Sequence, residues 1–124
     1  MCGIFGFSTR KPLSLKKVFR VLQKLEVQQL PQEPLPLGGY GAGVAVLLDD
    51  GSVLVQKVGW NSKSPAASLP ELVKVKEASV LLGHVRMPSP EFMKTAKFKE
   101  TAQPYVVERE PNRTVVSVHN GKME

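Results

Sequence analysis

The chain has 124 residues, 42% hydrophobic and 23% charged, which is enough for one domain with its own core and the composition of an ordinary globular protein. No run approaches the roughly 18 apolar residues of a membrane span, and the N-terminus lacks the basic and apolar regions of a signal peptide, so a cytoplasmic protein is expected. The net charge of +6 raises nucleic acid as a partner, but the cations are scattered from Arg10 to Lys122 with no nucleic-acid-binding pattern, which disfavours it.

Taken in chain order, residues 2–7 are short and apolar and predict a buried strand. Ser14 is placed to cap a helix over 15–29, whose apolar positions Leu15, Val18, Phe19, Leu22 and Leu25 repeat at helical spacing. Pro31, Pro34 and Pro36 then predict an irregular loop over 30–39. Residues 43–48 and 52–58 flank Asp49-Asp50-Gly51 and predict a hairpin. A short helix is expected over 69–76, with Pro70 in its first turn. Residues 78–86 predict a buried strand stopped by Pro88 and Pro90. An extended loop over 87–105 follows, and a last strand over 114–118 delivers His119-Asn120-Gly121.

Three places carry chemistry. Cys2 is the only cysteine, so there is no disulfide framework, in keeping with a reducing compartment. A lone cysteine is more often a small buried hydrophobe than a nucleophile. Its position changes that balance, because removal of Met1 gives one residue both a thiol and a free α-amine. Such groups titrate near one another in model peptides, and an N-terminal amine can serve as base for its own side chain. Asn120-Gly121 offers a side-chain amide and a backbone N–H, a donor pair suited to an oxyanion, although Asn-Gly is also a common turn. Arg86 closes an apolar strand, where its guanidinium can clamp a carboxylate or join a surface ion pair.

Read together and in order, five segments resemble the class II glutamine amidotransferases of the N-terminal nucleophile hydrolase superfamily. They are Met1-Cys2-Gly3-Ile4-Phe5-Gly6, the Gly-rich strand entry at 39–46, Gly83-His84-Val85-Arg86, Ala102-Gln103-Pro104-Tyr105 and His119-Asn120-Gly121. The resemblance spans nearly the whole chain and implies an α+β fold, the four-layer α/β/β/α sandwich, with residues 1–124 as the N-terminal portion of the glutaminase domain. It implies that Cys2 attacks the side-chain amide of glutamine, with its own α-amine as acid and base. By the same resemblance Asn120 and Gly121 would form the oxyanion hole, Arg86 would hold the substrate α-carboxylate, and Ser89 stands where relatives contact glutamine. The ammonia released would pass to a synthase domain or subunit. No cofactor or metal is implied.

Two departures accompany the likeness. Met87-Pro88 follows Arg86 where several subfamilies carry an aromatic and a small residue. Relatives also continue past the position of Glu124, supplying further strands and an aspartate for the substrate amino group. The resemblance therefore implies an incomplete sandwich here, one that need not be active alone.

The Gly39-x-Gly41-x-Gly43 run lacks the spacing and following helix of a dinucleotide loop, and Cys2, His84 and His119 lack the close spacing of structural zinc ligands. Two other readings stay open. One is an N-terminal nucleophile amidase that cleaves γ-glutamyl-type amides without transferring ammonia. The other is a non-catalytic binding module on the same scaffold. The ammonia acceptor and the oligomeric state, a homo-oligomer included, are left open by the residues.

Overall fold

A computed structural model describes residues 1–61, 63–109 and 113–121. The fold is α+β. Strand β1 (Gly3–Ser14) leads into helix α1 (Leu15–Val27). The hairpin β2 (Gly41–Leu47) and β3 (Val53–Gly59) follows, then α2 (Pro65–Leu72) and β4 (Glu77–Val85). These strands form one antiparallel sheet in the order β1-β4-β2-β3. A separate ribbon pairs β5 (Tyr105–Arg109) with β6 (Arg113–Ser117). Among the described residues no helix is long and apolar enough to cross a membrane.

Strand register divides the sheet into two unlike faces. One carries the cross-strand rows Gly3-Val85-Ala42-Val58, Phe5-Gly83-Val44-Gln56 and Phe7-Leu81-Val46-Leu54. Both helices pack on this face, where Leu15, Val18, Phe19 and Leu22 of α1 and Ala66 and Leu69 of α2 complete a closed apolar core. Leu22 lies over Gly83, where an added Cβ would stand 3.0 Å from its Cδ2. The other face carries the rows Ile4-His84-Gly43-Lys57 and Gly6-Leu82-Ala45-Val55. No helix covers it. The chain around residues 96–104 crosses its end instead.

Several elements differ from their sequence-based expectation, each for a reason outside the local pattern. Strand β1 continues to Ser14, beyond the expected end at residue 7, because it follows β4 across a register shift between Ser8 and Leu13. The Ser14 side chain does not cap α1; the Leu15 N–H donates instead to the Lys76 carbonyl at 2.9 Å. Helix α1 stops at Val27, two residues short of the expected 29, with Gln28 already extended.

Helix α2 begins at Pro65, four residues before the expected 69, and Pro70 lies inside it rather than in its first turn. Its start is fixed by Ser64, whose hydroxyl accepts from the Ala67 N–H at 3.0 Å. Glu26 of α1, 4% exposed, adds to this end: its carboxylate accepts from Ala66 N at 2.8 Å and from the Ser64 hydroxyl, and so satisfies one of the N–H groups that a helix start leaves unpaired. The expected loop over 87–105 contains two short 3-10 turns, Pro90–Thr95 and Lys99–Thr101, and ends as β5, a strand not expected at all. The last strand runs one residue earlier than 114–118.

Candidate active site

The strand ends farthest from the α1 start gather the residues singled out above. Cys2 immediately precedes β1 and is half-buried. Gly3 pairs with Val85 at the end of β4, so Cys2 stands beside residues 86 and 87. There the Met87 N–H donates to Cys2 Sγ at 3.4 Å, and the Met87 carbonyl lies 3.6 Å from the same sulfur. Arg86 continues the β4–β2 pairing: its N–H donates to Gly41 O at 2.8 Å, and its carbonyl accepts from Tyr40 N at 3.1 Å. That backbone grip fixes the base of a half-buried side chain whose Nη1 donates to Thr101 Oγ1. A guanidinium carries five donors in a planar fork, so holding one edge preorganises it for a carboxylate.

Segments far apart in the sequence meet here. Cys2 N donates to Asn120 Oδ1 at 3.0 Å, across 118 residues of sequence. With the oxygen of this side-chain amide engaged by Cys2 N, its N–H₂ is the group that can donate to a ligand. Gly121 follows at φ +133°, a backbone conformation that a side chain disfavours. A cavity of about 280 Å³ is lined by Cys2, Arg86, Ser89 and Gly121, together with Phe92 and Tyr105. Ser89 is exposed at its rim, and its carbonyl accepts from Phe92 N at 2.9 Å. The structure thus brings Cys2, Arg86, Ser89, Asn120 and Gly121 to one place.

Residues that sequence reasoning left without a role hold the backbone of His119, which lines the same cavity. His84 is fully buried, and its Nε2 lies 3.2 Å from the His119 carbonyl while Nδ1 has no partner. Burial, chiefly, pushes its pKa from 6.5 down to about 4, against the opposing hydrogen bond to the His119 backbone and with smaller help from the charges of Arg86 and His119, so the ring is neutral near pH 7. The Nε2–H tautomer, donating to that carbonyl, follows. Gln103, 8% exposed, reaches the same backbone. It lies directly on β2: a Cβ on Gly43 would stand 2.0 Å from its carbonyl oxygen. Similarly, a Cβ on Gly59 would meet Lys97 O at 2.4 Å. Motif likeness marked His84, Gln103 and the glycine run, but the contacts that give them meaning are long-range. Among the described residues no cluster of three His, Cys, Asp or Glu side chains suited to a metal ion occurs.

Comparison with protein-family models, curated proteins and solved structures finds no match to this chain. Its site must be read from its own geometry.

Proposed function

We propose that this chain is the glutamine-cleaving part of a class II glutamine amidotransferase. The single observation carrying the reading is the Cys2 N to Asn120 Oδ1 hydrogen bond at the mouth of a cavity shared with Arg86. It joins the future α-amine, the sulfur and an oxyanion donor at one residue pair.

With Met1 removed, Cys2 N is the α-amine and keeps Asn120 Oδ1 as acceptor. Glutamine enters with its α-carboxylate on Arg86 and its side-chain carbonyl carbon against Cys2 Sγ. The amine takes the thiol proton, sulfur adds to the carbonyl carbon, and negative charge develops on the oxygen. Asn120 Nδ2–H and the Gly121 N–H stabilise that charge; one such donor is commonly worth about 100-fold or more in rate. The carbon–nitrogen bond then breaks, with the amine returning its proton to departing ammonia. Water, deprotonated by the same amine, cleaves the resulting thioester to glutamate and restores the thiol. No histidine is required.

The reading extends to the fold and the setting. In an N-terminal nucleophile sandwich a second sheet covers the face opposite α1 and α2. The row Gly6, Leu82, Ala45 and Val55 on that face carries no polar side chain, and Ile4 of the neighbouring row is 44% exposed, which supports such a layer. An attacking thiol needs a reducing setting such as the cytoplasm. Ammonia would pass to a synthase domain or subunit.

The test is ammonia release from glutamine by the full chain with Met1 removed, alone and with added synthase partner. Activity that Cys2→Ala abolishes without loss of the folded circular-dichroism spectrum supports the assignment. Undiminished release from that variant refutes it.

A further inference from the structure

We infer that Gln103 is a positioning residue for the oxyanion element, holding Asn120 in place through the backbone of His119. The inference rests on the site reading above and adds a residue that does not itself touch the reacting atoms. Strand β6 ends at Ser117, so the peptide groups just before Asn120 have no strand partner in the β5–β6 ribbon. The Gln103 side chain supplies one. Its Oε1 accepts from His119 N, and its Nε2 donates to His119 O at 3.0 Å. One primary amide thereby copies the paired donor and acceptor of a neighbouring strand, fixing both the place and the tilt of residue 119.

The His119 carbonyl belongs to the peptide plane that leads directly into Asn120. It accepts a second bond, from His84 Nε2 at 3.2 Å. His84 and Gly43 are register partners on the two central strands. The clamp is therefore anchored twice on the sheet: by the His84 ring, and by the Gln103 main chain seated where Gly43 has no side chain. From there the connection runs through Asn120 Oδ1 to Cys2 N. Rigid support of this kind matters because a misplacement of about 1 Å by a residue away from the chemistry can cost about 100-fold. Loss of the clamp frees residue 119 and swings the Asn120 amide off the oxyanion position, while Cys2, held by β1 and Met87, stays where it is.

Gln103→Met keeps length and bulk but removes both hydrogen bonds. Three readouts are made on the full chain: glutaminase kcat and KM, the rate of Cys2 alkylation by iodoacetamide, and the side-chain amide resonances of Asn120. Alkylation needs no oxyanion hole, and the chain holds only three asparagines. The expected result is a kcat lowered about 100-fold with KM little changed, an unaltered alkylation rate, and shifted, broadened Asn120 amide signals. Gln103→Glu keeps the acceptor for His119 N–H and loses the donor, so its loss is intermediate; it carries the same test should the methionine variant fail to fold. Wild-type kcat with unmoved Asn120 resonances overturns the inference, as does a kcat loss matched by an equal loss of alkylation. A wild-type chain that releases no ammonia counts against the site reading alone, and the resonance comparison still decides the clamp: moved signals support it, unmoved ones overturn it.

Discussion

The two faces of the main sheet are held by different physics. On the helix side, large side chains interlock, and Leu22, Leu69, Leu81, Val44 and Val46 are fully buried. On the site side, main chain lies on main chain. Glycines 43 and 59 leave room for the carbonyls of Gln103 and Lys97, and polar side chains grip backbone atoms. Apolar packing is strong but tolerant of small shifts, since it has no preferred direction. Hydrogen bonds are weaker in net terms yet directional. The two faces thus divide the labour, with stability concentrated on one and positional accuracy on the other.

That division can be broken from either side. The largest expected change in stability is Leu22→Ala, which removes a fully buried side chain over Gly83 and should cost about 2–5 kcal/mol. Urea unfolding measures it, and below the melting transition the proposed glutaminase activity should stay near the wild-type level. Gly43→Ala is the converse. Its Cβ would collide with Gln103 O, so the chain around residue 103 must lift, and kcat should fall about 100-fold, more than its stability loss accounts for. An active Gly43→Ala enzyme would show that the glycine seat does not set the site.

The pH dependence sharpens the contrast. His84 is held near pKa 4 in the folded chain by burial, against 6.5 when exposed. Between those values the unfolded chain takes up a proton that the native ring refuses, so stability is full above about 6.5 and declines as pH falls toward 4. The total is roughly 3 kcal/mol. Thermal melts of His84→Gln should lack this slope, whereas Leu22→Ala should keep it. The smallest effect is expected at Lys57, whose Nζ donates to Ala102 O at 3.0 Å and lies 5.4 Å from the Tyr105 ring centroid. Lys57→Met should cost about 1 kcal/mol in urea unfolding.

What the sequence made legible follows the same split. Helix α1 declared itself by its apolar stripe, and the β2–β3 hairpin by Asp50-Gly51, where Gly51 has φ +83° and Asp50 Oδ1 accepts from Ser52 N at 2.9 Å. These are local signals. Helix α2 was misplaced by four residues because its start depends on Glu26, a partner 40 positions before Ala66. Strand β5 was invisible because Tyr105, Val106 and Val107 are all exposed and alternate weakly. Cys2, Arg86 and Asn120-Gly121 were named from their own chemistry and Ser89 through motif likeness, while the clamp on His119 and the seat at Gly43 exist only once distant segments meet.

The central claim is that the residue after Met1 becomes the amino terminus and attacks an amide through its sulfur. Intact-protein mass spectrometry after treatment with a glutamine-like electrophile, a diazoketone analogue, tests it most directly. The expected product is a chain lacking Met1 that carries one adduct, mapped to Cys2 and suppressed by excess glutamine. A chain that retains Met1 and stays unlabelled, or labelling indifferent to glutamine, would contradict it.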